Sequence, residues 1–170
     1  ASLPTSGRAC HELGNALYLV NKITGHKQPL VVETEDALVT LQQKIEQMVR
    51  HLNWYDFETL IDLMFQRAGW QRISRVGGTK KTLDITLLSP ITRENIAVQV
   101  KSQANCTDFM QFKEECADMQ HTLYYFVVHT PGKDLTREKA TETFRLWFPE
   151  DIARMAVQYG LAEWIIDKIR

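Results

Sequence analysis

From Leu123 to His129 the chain reads Leu-Tyr-Tyr-Phe-Val-Val-His, apolar at almost every step. A half-exposed strand would alternate polar with apolar residues, so a run like this fits a strand covered on both faces. The rest of the chain must therefore supply layers above and below it.

Those layers are legible in the periodicity. Leu38, Leu41, Ile45, Met48, Val49 and Leu52 recur at helical spacing over 35–52, with Thr34 as the expected cap. Asp56 is placed to cap a second helix reaching about Ala68. Its buried stripe is Phe57, Leu60, Ile61, Met64, Phe65 and Ala68, and Gly69 supplies the stop. Strands are predicted over 70–76, 82–88 and 96–101, with Gly77-Gly78 as the first turn and 89–95 as the second loop. An amphipathic helix over 108–119 carries Phe109, Phe112, Cys116 and Met119 on one side. After the apolar run, 135–141 is expected to be helical and 143–148 to form a last strand. Pro149 opens a helix to Tyr159, Gly160 breaks it, and 161–169 forms one more. Residues 13–23 read as a short helix and 25–29 as a loop. This order implies an α/β fold, a mixed β-sheet flanked by α-helices, with an extra N-terminal helical segment. The expected division is 1–53 for that segment and 54–170 for the main domain.

With 170 residues and a formal charge of -1, the chain can bury a real core, and its charge neither demands nor excludes nucleic acid. No apolar run approaches the ~18 residues of a membrane span. Three cysteines without Cys-x-x-Cys spacing argue against a disulfide framework or zinc site, and for reduced thiols in a cytoplasmic protein. The chain opens at Ala1 rather than methionine, which reads either as an excised domain or as a trimmed chain.

The chemistry concentrates on two strands. If they are neighbours, Leu83, Ile85 and Leu87 of one and Ile96, Val98 and Val100 of the other share a buried face. Asp84, Gln99 and Lys101 then converge on the opposite face. A carboxylate, an amide oxygen and an ammonium so placed suit metal-assisted phosphodiester hydrolysis. Magnesium favours one or two carboxylates with waters and substrate oxygens around them. Asp84 would be the anionic ligand, with Gln99 and the Val100 carbonyl as neutral ones. Lys101 could hold or deprotonate the attacking water, or neutralise developing charge. Glu58, in the first turn of the second helix, could reach over the sheet and bind the metal through water. A carboxylate at a helix N-terminus also has a purely structural explanation. So does an Asp84–Lys101 pair, as an ion pair on a half-buried sheet.

Five basic residues, Arg67, Arg72, Arg75, Lys80 and Lys81, and no acidic one lie between Leu63 and Leu83. They read either as phosphate contacts or as a solvated strand edge. Ser102 and Gln103, placed just after the third strand, either touch phosphate or begin a turn. His121 and His129 read as loop and strand-end residues rather than metal ligands.

Asp56-Phe57-Glu58 opening a helix, Gly69-Trp70 closing it, Gly77-Gly78, Asp84-Ile85 and Gln99-Val100-Lys101 together resemble Mrr-type restriction endonucleases. These belong to the PD-(D/E)xK nuclease superfamily, in the branch where glutamine replaces the second acid. The run Phe144-Arg145-Leu146-Trp147 through Gly160-Leu161 and Trp164 is similar to the end of such domains. The resemblance covers roughly Asp56 to Ile169. It implies a restriction-endonuclease-like fold and an endonuclease dependent on Mg2+ or Mn2+. It also implies motif roles for Asp84, Gln99 and Lys101 and a helix-acid role for Glu58. Thr79-Lys80-Lys81-Thr82-Leu83 depart from the small or acidic residues the family commonly has before its motif aspartate. Gln99 leaves the site one negative charge short of the acid-bearing branch.

The resulting expectation is a DNA endonuclease, acting in restriction of foreign DNA. A homodimer would place two sites on opposite strands. No base-reading helix is recognisable, which assigns target recognition to a further domain or subunit, or to the N-terminal third. The rival readings are an inactive nucleic-acid-binding module on the same fold and an assembly module docking through Leu38 to Leu52. A third is a nuclease for branched DNA or RNA.

Overall fold

The computed structural model describes residues 16, 18–73 and 83–170. The Gly77-Gly78 turn and residues 74–76 of the strand expected over 70–76 lie outside the described residues. The chain divides into two units, Ala1–Thr40 and Leu41–Arg170.

In the first unit residues 18–24 are helical (α1), as the short helix expected there. Gly25, at φ +69, follows it. The next helix, α2 (Pro29–Val49), starts earlier than the periodicity indicated. Proline lacks an N–H and has its φ fixed near the helical value, so it suits a first turn. Thr34 therefore lies inside α2 rather than capping it. Its Oγ1 donates to Leu30 O at 2.7 Å, a bond back along the helix.

In the second unit the end of α2 buries Ile45 and Val49, and Leu52 follows them into the core. Leu38 and Leu41, expected in the same stripe, are 45% and 39% exposed. The apolar spacing runs on beyond the turns that are covered. Helix α3 (Trp54–Arg67) is capped by Asn53, whose side chain accepts from Asp56 N at 2.9 Å. Asp56, expected as the cap, lies instead in the first turn, where it accepts from Asn53 Nδ2. Two cap-competent residues three positions apart compete, and the first wins. Phe57, Leu60, Ile61, Met64 and Phe65 are buried as expected, whereas Ala68 is the exposed C-cap. Gly69, at φ +90, ends the helix, and Trp70 N returns to Phe65 O at 3.0 Å.

The sheet contains β1 (Gln71–Arg72), β2 (Ile85–Leu88), β3 (Asn95–Ala104), β4 (Leu123–Pro131) and β5 (Phe144–Trp147), ordered β1-β2-β3-β4-β5. The first three pair antiparallel and the last three parallel, so the sheet is mixed, as expected. Helix α4 (Cys106–Glu115) is capped by Asn105, with Asp108 completing a reciprocal capping box. Its expected extension to Met119 does not form. Residues 135–141 likewise make only a single 3-10 turn, Arg137–Lys139, instead of a helix. Helices α5 (Pro149–Gln158) and α6 (Ala162–Ile169) close the chain, separated by Gly160 at φ +67.

Two apolar clusters sandwich the sheet. On one face Ile85, Leu87, Ile96, Val98 and Val127 meet the buried residues of α3, α5 and α6. On the other, Ala97, Tyr124, Phe126 and Val128 meet Phe109 and Phe112 of α4. Successive β4 residues alternate between the clusters, which is why that strand is apolar throughout. No described helix is long and apolar enough to cross a membrane.

Candidate active site

Strands β2 and β3 form a hairpin in which Ile85 pairs with Val98 and Leu87 with Ile96. Extending that register sets Asp84 opposite Gln99. Asp84 itself sits in a bend just before β2, with its N–H donating to Val98 O at 3.1 Å. The bend corrects one expectation. Leu83 packs with the α4-side cluster instead of sharing the face of Ile85 and Leu87. Strand alternation starts only at Ile85, so parity cannot be carried back across the bend.

The motif residues meet at Asp84. Its Oδ2 accepts from Gln99 Nε2 at 2.7 Å and from Val100 N at 2.7 Å. Gln99 is only 4% exposed, so this is a buried amide–carboxylate contact. Lys101, two residues on and on the same face, is exposed, and its charge acts on Asp84. With Asp108, Gln111 and Glu115 of α4, Gln99 and Lys101 line a cavity of about 280 Å³.

From the other side α3 contributes carboxylates. Glu58 and Asp62 stand one turn apart on the helix, and both meet the guanidinium of Arg72 on β1. Arg72 Nη2 lies 3.5 Å from Glu58 Oε1, and Nη1 lies 3.2 Å from Asp62 Oδ2. Nη2 also donates to the backbone oxygen of Asp84 at 3.1 Å.

The charges are strained. Burial is the main cause raising the Asp84 carboxyl above its ordinary value, opposed by the Val100 N–H and by Lys101 and Arg72. Burial also raises Glu58, and the charge of Asp84 adds to it while Arg72 opposes. Two partly buried carboxylates, both raised by burial and one further raised by the charge of the other, make an attractive seat for a cation.

The remaining candidates are dispersed. Arg67 Nη1 donates to Tyr159 O and Gly160 O, at the C-terminal end of α5. Arg72 is mostly covered and engaged with two acids. Ser102 and Gln103 lie within β3, which continues to Ala104, rather than after it. By strand alternation Gln103 shares the face of Gln99 and Lys101, whereas Ser102 points the other way. Arg75, Lys80 and Lys81 lie outside the described residues. His129 is buried within β4, its ring nearly perpendicular to that of Phe57 with centroids 4.6 Å apart. Asp62 escaped the sequence reading, although its position four residues after Glu58 was a usable signal.

The family model described as restriction endonuclease (Mrr_cat) matches residues 49–144, more than half of the chain. The chain belongs to the Mrr-type restriction endonuclease family. The matched span holds Glu58, Asp62, Arg72, Asp84, Gln99 and Lys101, so the whole cluster lies inside the Mrr-type region. It ends at the first residue of β5, leaving α5 and α6 outside the match. The chain also resembles the crystal structure of a repair endonuclease from Pyrococcus abyssi, with 14% identity and a TM-score of 0.37. That likeness takes in 52% of this chain and 45% of the other, so this chain spans less than half the length of that endonuclease. No curated protein matches the chain.

The donor set of this Mrr-type domain suits a hard divalent ion. Among the described residues no three His, Cys, Asp or Glu side chains gather as a metal-holding group. Magnesium does not depend on such a group, since it keeps several waters beside one or two carboxylates. Gln99 gives Asp84 its amide N–H, so a ligand role for Gln99 falls to Oε1.

Proposed function

We propose that this domain is a metal-dependent endonuclease that hydrolyses DNA phosphodiester bonds with Mg2+ or Mn2+. The observation that carries the reading is the meeting of Gln99 Nε2 and Val100 N on one oxygen of Asp84. That contact joins the acid just before β2 to the Gln-Val-Lys segment of β3. Asp84 would hold the ion directly and Glu58 through water, with the Val100 carbonyl and Gln99 Oε1 as the protein's further donors. The chemistry such an ion would supply is Lewis acidity at the phosphate and activation of a water. Lys101 orients the attacking water and offsets negative charge as it develops on the phosphate. Gln99 keeps the Asp84 carboxylate aimed by donating to it.

Restriction of foreign DNA is the role most consistent with the family. The basic residues at 75, 80 and 81, with Gln103 on the Lys101 face, are the proposed phosphate contacts.

The test is nicking of supercoiled plasmid by the full chain with Mg2+ or Mn2+, with and without EDTA. Cleavage should require the metal, and Lys101→Ala should lower it by about 10²–10⁴-fold while DNA binding persists. A branched-DNA and RNA panel run alongside defines the substrate. DNA binding by the parent without nicking at any metal concentration would overturn the reading in favour of an inactive binding module.

A further inference from the structure

We infer that Arg72, buttressed by Asp62, is a positioning residue whose guanidinium fork fixes Glu58 of α3 against the backbone of Asp84. It thereby sets the spacing of the two carboxylates that face the cation. The inference rests on the proposed function and deepens it. It gives Arg72 a task other than the phosphate contact expected from the sequence.

The geometry is specific. Arg72 pairs with Leu87 across β1 and β2, and its side chain reaches along the strand to the Asp84 carbonyl at 3.1 Å. The same Nη2 lies 3.5 Å from Glu58, while Nη1 takes Asp62 at 3.2 Å. One planar group therefore ties α3 at two successive turns to the bend that presents Asp84. The side chain is only 14% exposed, so solvent screens these contacts weakly. Asp84 needs such an anchor. It stands in the bend before β2, where its N–H is held by Val98 O and its carbonyl by Arg72.

Asp62 makes the arrangement stable without entering the site. It supplies a carboxylate that holds the fork by Nη1, leaving Nη2 for Glu58 and Asp84. A lysine could neutralise the same charge but could not span three acceptors with one ammonium. That difference separates positioning from simple charge balance.

The experiment measures Mn2+ binding by calorimetry and plasmid nicking at saturating Mn2+, on full-length parent, Arg72→Lys, Arg72→Gln and Asp62→Asn. Positioning predicts that both Arg72 variants bind Mn2+ about tenfold or more weakly and nick more slowly, with no rescue by lysine. Asp62→Asn should shift both readouts in the same direction by less. Parent-like behaviour of Arg72→Lys would overturn the inference, as would tighter Mn2+ binding by Arg72→Gln, which is the signature of a charge that merely repels the ion. If the Arg72 variants fail to fold by circular dichroism, Asp62→Asn decides: a variant identical to the parent overturns the inference. A parent that neither binds Mn2+ nor nicks sinks the proposed function, and this inference with it. An active parent with unaffected variants sinks the inference alone.

Discussion

At Asp84 two demands oppose each other. Burial favours the neutral acid, whereas the Val100 N–H, Lys101 and Arg72 favour the anion, and burial prevails. A carboxyl raised in the folded state binds its proton more tightly there than in the unfolded chain. Its ionisation therefore costs stability as pH rises from the ordinary value of 3.8 through the raised one, and the deficit persists above it. Glu58 adds to the effect, since the Asp84 charge raises it too. In buffer containing EDTA, Asp84→Asn should melt higher than the parent at neutral pH, and the gap should widen between pH 4 and 8. A gap that stays constant or narrows over that range would contradict the account. The same variant should lose metal-dependent nicking, so the residue trades stability for chemistry. The shared face of Gln99 and Lys101 was legible because strand alternation is a local rule, whereas Asp84 lies outside that rule, in the bend before β2. Leu83 was misread because the rule stops at a bend. The bridging of Glu58, Asp62 and Arg72 was invisible because it joins a helix to a strand through space.

Among the elements, α3 matters most, since it carries Glu58 and Asp62 and buries Phe57, Leu60, Ile61, Met64 and Phe65. Its start is fixed by Asn53, which accepts from Asp56 N and donates to Asp56 Oδ2. Asn53→Ala should lower stability by about 1 kcal/mol in denaturant titrations. No loss would mean that the Lys168–Asp56 ion pair at 2.8 Å holds the first turn unaided. Helix existence was plain from apolar spacing, but helix starts were not. Asn53 and Asp56 are both competent caps, as Pro29 and Thr34 are both plausible beginnings, and tertiary packing chooses between them. The 135–141 segment was overread, because Leu135 alone is buried there and gives a helix no face to cover.

For the whole molecule, both apolar clusters draw their buried residues from Ile45 onward. Residues 41–170 alone should therefore unfold in one cooperative transition within about 4 °C of the full chain. They should also keep any stabilisation by Mn2+. A broad transition, or exposed apolar surface detected by dye binding, would show that the first forty residues are needed for folding. The mixed sheet between helices followed from the sequence order of elements, with the covered strand β4 as its clearest sign. Which strands neighbour which was not predictable, because parallel pairing of β4 with β5 across residues 132–143 leaves no mark in local periodicity.

The β2–β3 hairpin has a consequence for how such a domain would age. The register that aligns Asp84 with Gln99 also keeps Ile85 and Leu87 dry. A slip by one residue would turn both outward, a cost of roughly 1.5–3 kcal/mol for each side chain. Foldability by itself thus preserves the alignment, whether or not any DNA is ever cut. In a descendant freed from its task the backbone would stay a faithful mould, and only the identities of the acid and the amine would record whether the tool still has an edge.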